Sequence, residues 1–497
     1  MTIRNLDMVL APRSVAVIGA SERPGSVGAV VMRNIIDGGF QGPVLPVNPK
    51  HDSLHGLPCA KRVSDLKEVP DVAVIVTPPR TVPKIVSDLG KLGCKAACVI
   101  TAGLTEANGL RQKMLDAAKP HMMRIIGPNT VGLIVPPVKL NASFAHMAPQ
   151  PGRIALLSQS GAIVTTLIDW ASEHDVGFSQ VVSLGDMADV DAGDYLDLLG
   201  LDVNTRAVLI YLESIPQARK FLSAARATSR LKPVIVLKAG RSELAAKAAA
   251  THTGALSGAD AVVEAALERA GVLRVRGLSE MFAAAETVSR FRPLKRARLG
   301  IVTNGGGAGV LAVDRLMEGS GELATLSPET LRKLDRKLPE NWSRSNPVDI
   351  IGDAPAERYV AALESVAADR DVDVILVMNC PTALASPSEA AEAVAARVDK
   401  GLLNRKPVLS CWLGGPNARS AQQILRHSGV PSYNTPARAA GAIGHLTDWG
   451  RAQTALLHVP DRKVEEALRH TPTGARARAM EVIGVVAADR RKVLTEP

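Results

Sequence analysis

The sequence predicts an α/β protein built from three doubly wound, largely parallel sheets. Short continuous apolar runs alternate with stretches of helical length, the pattern of buried parallel strands joined by crossover helices. Several of those runs end in a loop of Gly and Ser that opens a helix. At 497 residues the chain is too long for one core, and roughly three domains is the expectation from size.

Composition sets the outer bounds. Hydrophobic residues make up 46% and charged residues 22%, as in a water-soluble globular chain. Aromatic residues are only 3%, so the cores must be built from Ala, Val, Leu and Ile. There is no run of about 18 uncharged apolar residues, so no membrane-spanning helix is expected. The first residues lack the apolar core and cleavage site of a secretion signal. The five cysteines, at positions 59, 94, 98, 380 and 411, are odd in number and scattered. Cys94 and Cys98 have no second pair to complete a metal site, so no metal is expected, and a reducing cytoplasm is the simplest setting. The net charge of +10 suits an anionic partner. No Lys/Arg run carries interleaved aromatics, so a phosphate-bearing small molecule fits better than nucleic acid.

Residues 13–135 read as the first βαβ domain. The strand ending at Ile18 runs into the loop GASERPGSVG, and a helix follows from about Val27 to Gly38. A dinucleotide fingerprint needs Gly at i, i+2 and i+5; Ser21 and Pro24 occupy the last two positions, so an NAD(P) oxidoreductase is not supported. Glycines at 19, 25 and 28 instead make a longer loop whose N–H groups, with the helix N-terminus, can hold a pyrophosphate. The second strand ends in Val47-Asn48-Pro49-Lys50. A cation there, where an NAD site wants an acid, suits a phosphorylated ribose. Pro78-Pro79 and Gly127-Pro128-Asn129 also fall at strand C-terminal ends, where such sheets bind ligands; plain turn chemistry is the alternative.

Residues 151–290 read as the second domain. The strand Gly152–Leu157 leads to Ser158-Gln159-Ser160-Gly161 and then a helix from Ala162. That turn is a candidate anion site or a simple N-cap, and it lacks the GxSxG elbow of a hydrolase. The strand Ala207–Leu212 ends at Glu213, and the strand Val234–Leu237 leads into AAKAAATHTGALSGAD, residues 245–260. This stretch sets His252 among small residues, as a nucleophile that must approach another surface would be set. Glu213, at the same sheet edge, is placed to accept an imidazole N–H, or else is an exposed strand-end acid.

Residues 297–458 read as the third domain. The strand Arg298–Thr303 is followed by Asn304 and the run Gly305-Gly306-Gly307-Ala-Gly309, with a helix expected over Val310–Met317. The run is a second candidate anion cradle but not a nucleotide P-loop, because no Gly-Lys-Ser/Thr follows. Two helix N-termini, each carrying about half a positive charge, could face one phosphate.

The motifs SVAVIGASERPGSVG, LPVNPK, GPNTVG, LSQSGA, THTGALSG, TNGGGAG and NPVDIIGDA occur in this order. In this the chain resembles the NDP-forming acyl-CoA synthetases, relatives of succinyl-CoA synthetase, from about Val9 to Val459. The resemblance implies a Rossmann-like CoA-binding domain over 1–140. Two flavodoxin-like ligase domains over 150–292 and 296–458 follow, then a tail, 459–497, leading toward an ATP-grasp module on a partner chain or beyond.

It implies that His252 carries the phosphoryl group and that Glu213 steadies it. By the same resemblance Ser158, Gln159, Ser160, Gly161, Gly305, Gly306 and Gly307 hold phosphate. Gly19, Ser21, Arg23, Gly25, Val27, Asn48, Lys50 and Pro78 contact CoA. The implied ligands are CoA or acyl-CoA, phosphate, and ADP/ATP with Mg on the partner module, in a homo-oligomer. The rival expectation is a CoA-sensing module without turnover, as in fused acetyltransferases.

Overall fold

Three sheets follow one another along the chain in the computed structural model, which describes residues 3–174, 176–242, 244–245, 260–319, 321–403 and 405–457. The first sheet holds β1 (Val15–Ile18), β2 (Val44–Val47), β3 (Val72–Ile75), β4 (Ala96–Val99) and β5 (Arg124–Ile126). All are parallel, in the order β2-β1-β3-β4-β5. Strands β1, β3 and β4 are buried along their whole length, which is why their sequences are unbroken apolar runs rather than alternating ones. Strand order reverses between β1 and β3, so a crevice opens at their C-terminal ends. Helix α1 (Val27–Asp37) starts beside that crevice, capped by Ser26, whose hydroxyl accepts from the Ala29 N–H.

The second sheet holds β6 (Gly132–Val135), β7 (Leu140–Ser143), β8 (Pro151–Ser158), β9 (Phe178–Ser183), β10 (Ala207–Leu212), β11 (Val234–Lys238) and β12 (Leu273–Val275). Its order is β12-β11-β10-β8-β9-β6-β7. The ladder is parallel as far as β9, and β6 and β7 close it as an antiparallel ribbon. β6 finds its partner in β9, pairing Ile134 with Val181 and Leu133 with Val182. These two strands therefore join a sheet whose other members all follow them in the chain. Helix α2 (Gly161–Glu173) leaves β8, and α3 (Asp260–Arg269) precedes β12.

The third sheet holds β13 (Arg298–Thr303), β14 (Glu322–Leu323), β15 (Val348–Asp349), β16 (Val374–Asn379), β17 (Val408–Trp412) and β18 (Ser432–Tyr433). It runs β14-β13-β16-β17-β18, with β15 also on β13, and every pairing is parallel. Helix α4 spans Gly306–Met317, four residues earlier than the sequence reading places its start. Two of the glycines inside the helix, Gly306 and Gly309, face neighbours that leave little room for a side chain. A Cβ on Gly306 would meet the Asp349 carboxylate at 2.8 Å, and one on Gly309 would meet Pro347 at 3.0 Å.

The last helix, α5 (Pro436–Leu457), ties the second and third sheets together. Its Leu446 and Trp449 join the core of the second sheet, while Ala439 and Ile443 join that of the third. Residues up to Leu456 form one compact unit. The expected tail, 459–497, lies outside the described residues.

A buried charge network joins the first sheet to the second. Arg124, at the end strand β5, pairs with Asp189 at 2.9 Å and Asp194 at 3.3 Å. Lys220 pairs with Asp194 at 2.8 Å and Asp191 at 3.0 Å. The acid-rich stretch after β9 is thus a joint between domains, with the Asp194 side chain wholly buried. Among the described residues no helix is long and apolar enough to cross a membrane.

Candidate active site

The crevice at β1 and β3 is a cavity of about 1420 Å³. All eight residues that the sequence assigns to CoA line it: Gly19, Ser21, Arg23, Gly25, Val27, Asn48, Lys50 and Pro78. The first loop reaches it by a close backbone approach. Gly19 has φ +96°, and a Cβ on Gly28 would sit 2.2 Å from the Gly19 carbonyl oxygen. This contact does the work of the missing fingerprint glycines. Asn48 acts through its side chain as a tie: its amide donates to the Ala20 carbonyl at 2.7 Å and accepts from the Lys50 N–H at 2.9 Å. It thereby fixes the second loop against the first and sets the start of Lys50.

The cavity carries seven Lys and Arg side chains against one carboxylate, Asp88. Five cations escaped the sequence reading: Lys61, Arg62, Arg80, Lys84 and Lys91. Arg80 follows Pro78-Pro79 directly, so its signal was present in the motif. Lys61 and Arg62 arrive by a different route: Ala60 pairs back onto Val47 at the end of β2, which local sequence does not reveal. The positive lining gives the cavity its chemistry, a receptor for a phosphorylated ligand of nucleotide size.

The second candidate region lies at the C-terminal edge of the second sheet. Ser158 is buried, and its hydroxyl donates to the Ser160 carbonyl at 2.8 Å and accepts the Ser160 N–H at 3.2 Å. The turn is thereby closed just before α2, whose N-cap, Ser160, makes no side-chain capping bond. Gln159 spans to the neighbouring strand end. Its Oε1 accepts the N–H groups of Glu213 at 2.9 Å and Ser214 at 3.0 Å, and its Nε2 donates to the Ser214 hydroxyl at 2.9 Å. The Gln159 side chain is thus committed to holding Glu213 and Ser214 in place.

Beyond Glu213, Lys238 ends β11. Burial pushes its ammonium down, Arg274 adds to this, and Asp260 and Glu213 pull it back up. Asp260 pairs with Arg274 and, at 3.7 Å, with Arg241, so an ion pair spans the two ends of the segment that holds His252. His252 itself lies outside the described residues. Lys238, Arg241 and Arg274 were not singled out from sequence, since single cations at strand ends carry no local signature.

The third region repeats the second in outline. Thr303 closes the turn before α4: its hydroxyl donates to the Gly305 carbonyl and accepts the Gly305 N–H, both at 3.1 Å. Asn304 reaches the next strand end as Gln159 does, accepting the Cys380 N–H at 2.7 Å and donating to the Cys380 carbonyl at 2.9 Å. Helix α4 likewise lacks a side-chain cap. The turn carrying Gly305, Gly306 and Gly307 is therefore built on the same plan as the turn carrying Ser158–Gly161. No hydrogen bond or ion pair among the described residues joins the two turns. Nor does any group of three or more His, Cys, Asp or Glu side chains there take an arrangement that could hold a metal ion.

Comparison with known proteins decides the lineage. Three family models match in sequence: a CoA binding domain over 13–136, a succinyl-CoA ligase like flavodoxin domain over 151–288, and a ligase-CoA domain over 299–457. The alpha subunit of the ADP-forming acetate–CoA ligase I of Pyrococcus furiosus is 38% identical over 455 residues, covering 90% of this chain and 98% of that subunit. The chain belongs to the ADP-forming acyl-CoA synthetase family.

The family has members of different length. Against the ADP-forming acetate–CoA ligase I of Archaeoglobus fulgidus this synthetase-family chain is 39% identical over 89% of its own length, and it spans 63% of that relative. Among solved structures, the dinucleotide-forming acetyl-coenzyme A synthetase 1 of Ca. Korarchaeum cryptofilum, in complex with phosphate and ADP, superposes with a TM-score of 0.86. It is 36% identical and covers 91% of this chain and 99% of its own. The α/β architecture is thus shared with that synthetase, and the first domain of this chain is a CoA-binding domain by its family match.

Proposed function

We propose that this chain is the CoA-binding and phosphohistidine part of an ADP-forming acyl-CoA synthetase. The observation that carries the reading is the cationic cavity at the β1/β3 switch point, which gathers all eight residues expected to contact CoA. Residues 1–140 bind the acyl-CoA, 150–292 carry His252, and 296–458 supply the second cradle. The reaction runs in balanced steps. A phosphate oxygen attacks the thioester carbonyl, and CoA leaves as the thiol with an acyl phosphate formed. The His252 imidazole then takes the phosphoryl group, and the free acid leaves. Finally ADP accepts the phosphoryl group, giving ATP and restoring the imidazole.

This chain's residues contribute positioning and charge, which phosphoryl transfer chiefly requires. The uncapped N-termini of α2 and α4 offer free N–H groups to phosphate. Gln159 holds Glu213 where its carboxylate can receive an imidazole N–H and stabilise the phosphorylated ring. The nucleotide step, with Mg, belongs to an ATP-grasp subunit or domain, a reading supported by the relative described as an alpha subunit. The assembly is homo-oligomeric in this chain. The described cysteines are all free thiols, which suits a reducing cytoplasm.

The test is incubation of the 497-residue chain with radiolabelled phosphate and a panel of acyl-CoAs. An acid-labile protein label that is lost in His252→Asn supports the synthetase. Tight CoA binding without label from any acyl-CoA would replace it with a CoA-sensing module.

A further inference from the structure

A cavity of about 620 Å³ lies at the N-terminal edge of the third sheet, where β13, β16 and β17 begin. That edge is opposite the Gly305 turn, so the cavity belongs to none of the sites described above. Five Lys and Arg residues line it against two carboxylates, a net charge of +3. Both carboxylates are already held. Asp369 accepts the Ser327 N–H at 2.8 Å and the Asp371 N–H at 2.9 Å. Asp373 accepts the Arg298 guanidinium through both oxygens, each at 2.9 Å. Two of the cations are engaged as well: Arg296 pairs with Glu322 at 2.8 Å, and Lys406 donates to the Asp369 carbonyl. The other three, Lys295, Arg370 and Arg405, are exposed, and their side chains make no hydrogen bond or ion pair among the described residues. Glu329, in whose field Arg370 lies, is bound to Lys333 at 2.7 Å.

Accessible cations without partners around one concave surface focus a positive field there and attract an anion of several charges. At about 30 Å³ per water-sized group, the volume holds on the order of twenty such groups, far more than an inorganic phosphate fills. Pockets of this size take small-molecule ligands. The rest of the accessible wall is apolar: Leu294 and Pro407 are partly exposed and Ala368 is exposed. A matching ligand therefore joins several phosphate charges to a less polar body. No hydroxyl, thiol or imidazole side chain lines the cavity, so it offers such a ligand binding rather than nucleophilic attack. We propose that this cavity is a binding site for a nucleoside di- or triphosphate, separate from the CoA cavity.

The position of the cavity gives binding a consequence. Leu294 and Lys295 lie on the connector between the second and third domains, and Leu294 packs against the cores of both. The Leu294 N–H donates to the Leu446 carbonyl of α5 at 3.0 Å. Arg370 and Arg405 belong to the third domain. Phosphates that bridge Lys295 to Arg370 and Arg405 would pin the connector to the third sheet and stabilise the folded chain.

The experiment is isothermal titration of the full-length protein, with CoA at saturation so that the first cavity is filled. The titrants are ATP, ADP, inorganic pyrophosphate and inorganic phosphate, at an ionic strength of about 0.1 M. ATP or ADP should bind with Kd below about 1 mM, pyrophosphate roughly tenfold more weakly, and phosphate more weakly still. The double variant Arg370→Ala/Arg405→Ala removes two exposed side chains that hold nothing among the described residues, and it should weaken the nucleotide by about tenfold or more. Lys50→Ala, in the CoA cavity, should leave nucleotide binding unchanged. CoA binding should be the same in the double variant as in the parent, which reports folding. Failure of both nucleotides to bind, binding that persists in the double variant, or its loss in Lys50→Ala would overturn the proposal. So would binding of pyrophosphate or phosphate as tight as that of the nucleotides. None of these outcomes depends on whether His252 is phosphorylated, so the synthetase reading stands or falls separately.

Discussion

Gln159 holds Glu213 through the backbone: its Oε1 accepts the Glu213 and Ser214 N–H groups at 2.9 and 3.0 Å. One side chain from the end of β8 thus shapes the turn that ends β10. Gln159→Leu would leave two N–H groups without an acceptor, at about 1–3 kcal/mol for each that stays buried. Hydrogen exchange at 213–215 should accelerate in Gln159→Leu, while Gln159→Glu, which keeps the acceptor, should stay close to the parent. Equal protection in all three would remove Gln159 from this role.

The first loop depends on one backbone approach. Gly28→Ala drives a methyl group to 2.2 Å from the Gly19 carbonyl, so the loop must open. CoA affinity should fall at least tenfold by titration calorimetry. Gly25→Ala is the contrast: its φ is +75° but a Cβ meets nothing within 4 Å. It should cost only the left-handed strain, about 1–2 kcal/mol. If the two variants bind CoA alike, close approach at Gly28 is not what shapes the loop.

The cavity cations should act on CoA through charge. Lys50→Ala and Arg80→Ala are each expected to weaken CoA binding roughly fivefold, near the upper limit for exposed charges. They should also flatten the salt dependence of Kd, because fewer phosphate contacts remain to be screened. A full loss of affinity with an unchanged salt dependence would point to a structural role instead.

The joint between the first two sheets rests on Arg124. Arg124→Met leaves Asp194, which is wholly buried, with Lys220 as its remaining cation, and leaves Asp189 without its cation, holding only the Ile125 N–H. The expected cost is about 3–5 kcal/mol, read as a lower urea midpoint. A midpoint within experimental error of the parent would show that the joint adds nothing to stability.

Burial holds the His445 pKa below its ordinary value of 6.5, with Arg315 acting in the same direction and Glu280 and Asp448 opposing. The unfolded chain therefore binds the proton more readily than the folded one. Stability from this residue is full above about pH 6.5 and is lost as pH falls toward the lowered folded value, by up to about 1.4 kcal/mol per pH unit. Burial lowers His174 as well, adding a loss of the same sign. Urea unfolding at pH 7.5 and pH 5.5 should show a smaller difference in His445→Leu than in the parent. An identical pH response would exclude His445 as a source of acid sensitivity.

By itself the sequence determined the elements and their chemistry. Unbroken apolar runs named β1, β3 and β10, because strands buried on both faces tolerate no polar alternation. The Gly and Ser loops after them named the turns, and the motif order named the family. Tertiary structure decided what those pieces meet. It alone carried β6 and β7 into the second sheet, since the partner of β6 is β9, across two intervening strands in the chain. It turned the acidic stretch after β9 into the counter-charge for Arg124, and it made the Gln159 side chain a brace for Glu213. It brought Lys61 and Arg62 to the cavity through the return of Ala60 onto β2. In each case the reason is the same: local pattern sets a segment's conformation, but the side chains gathered at one edge follow from strand order, which long-range burial and hydrogen bonding select.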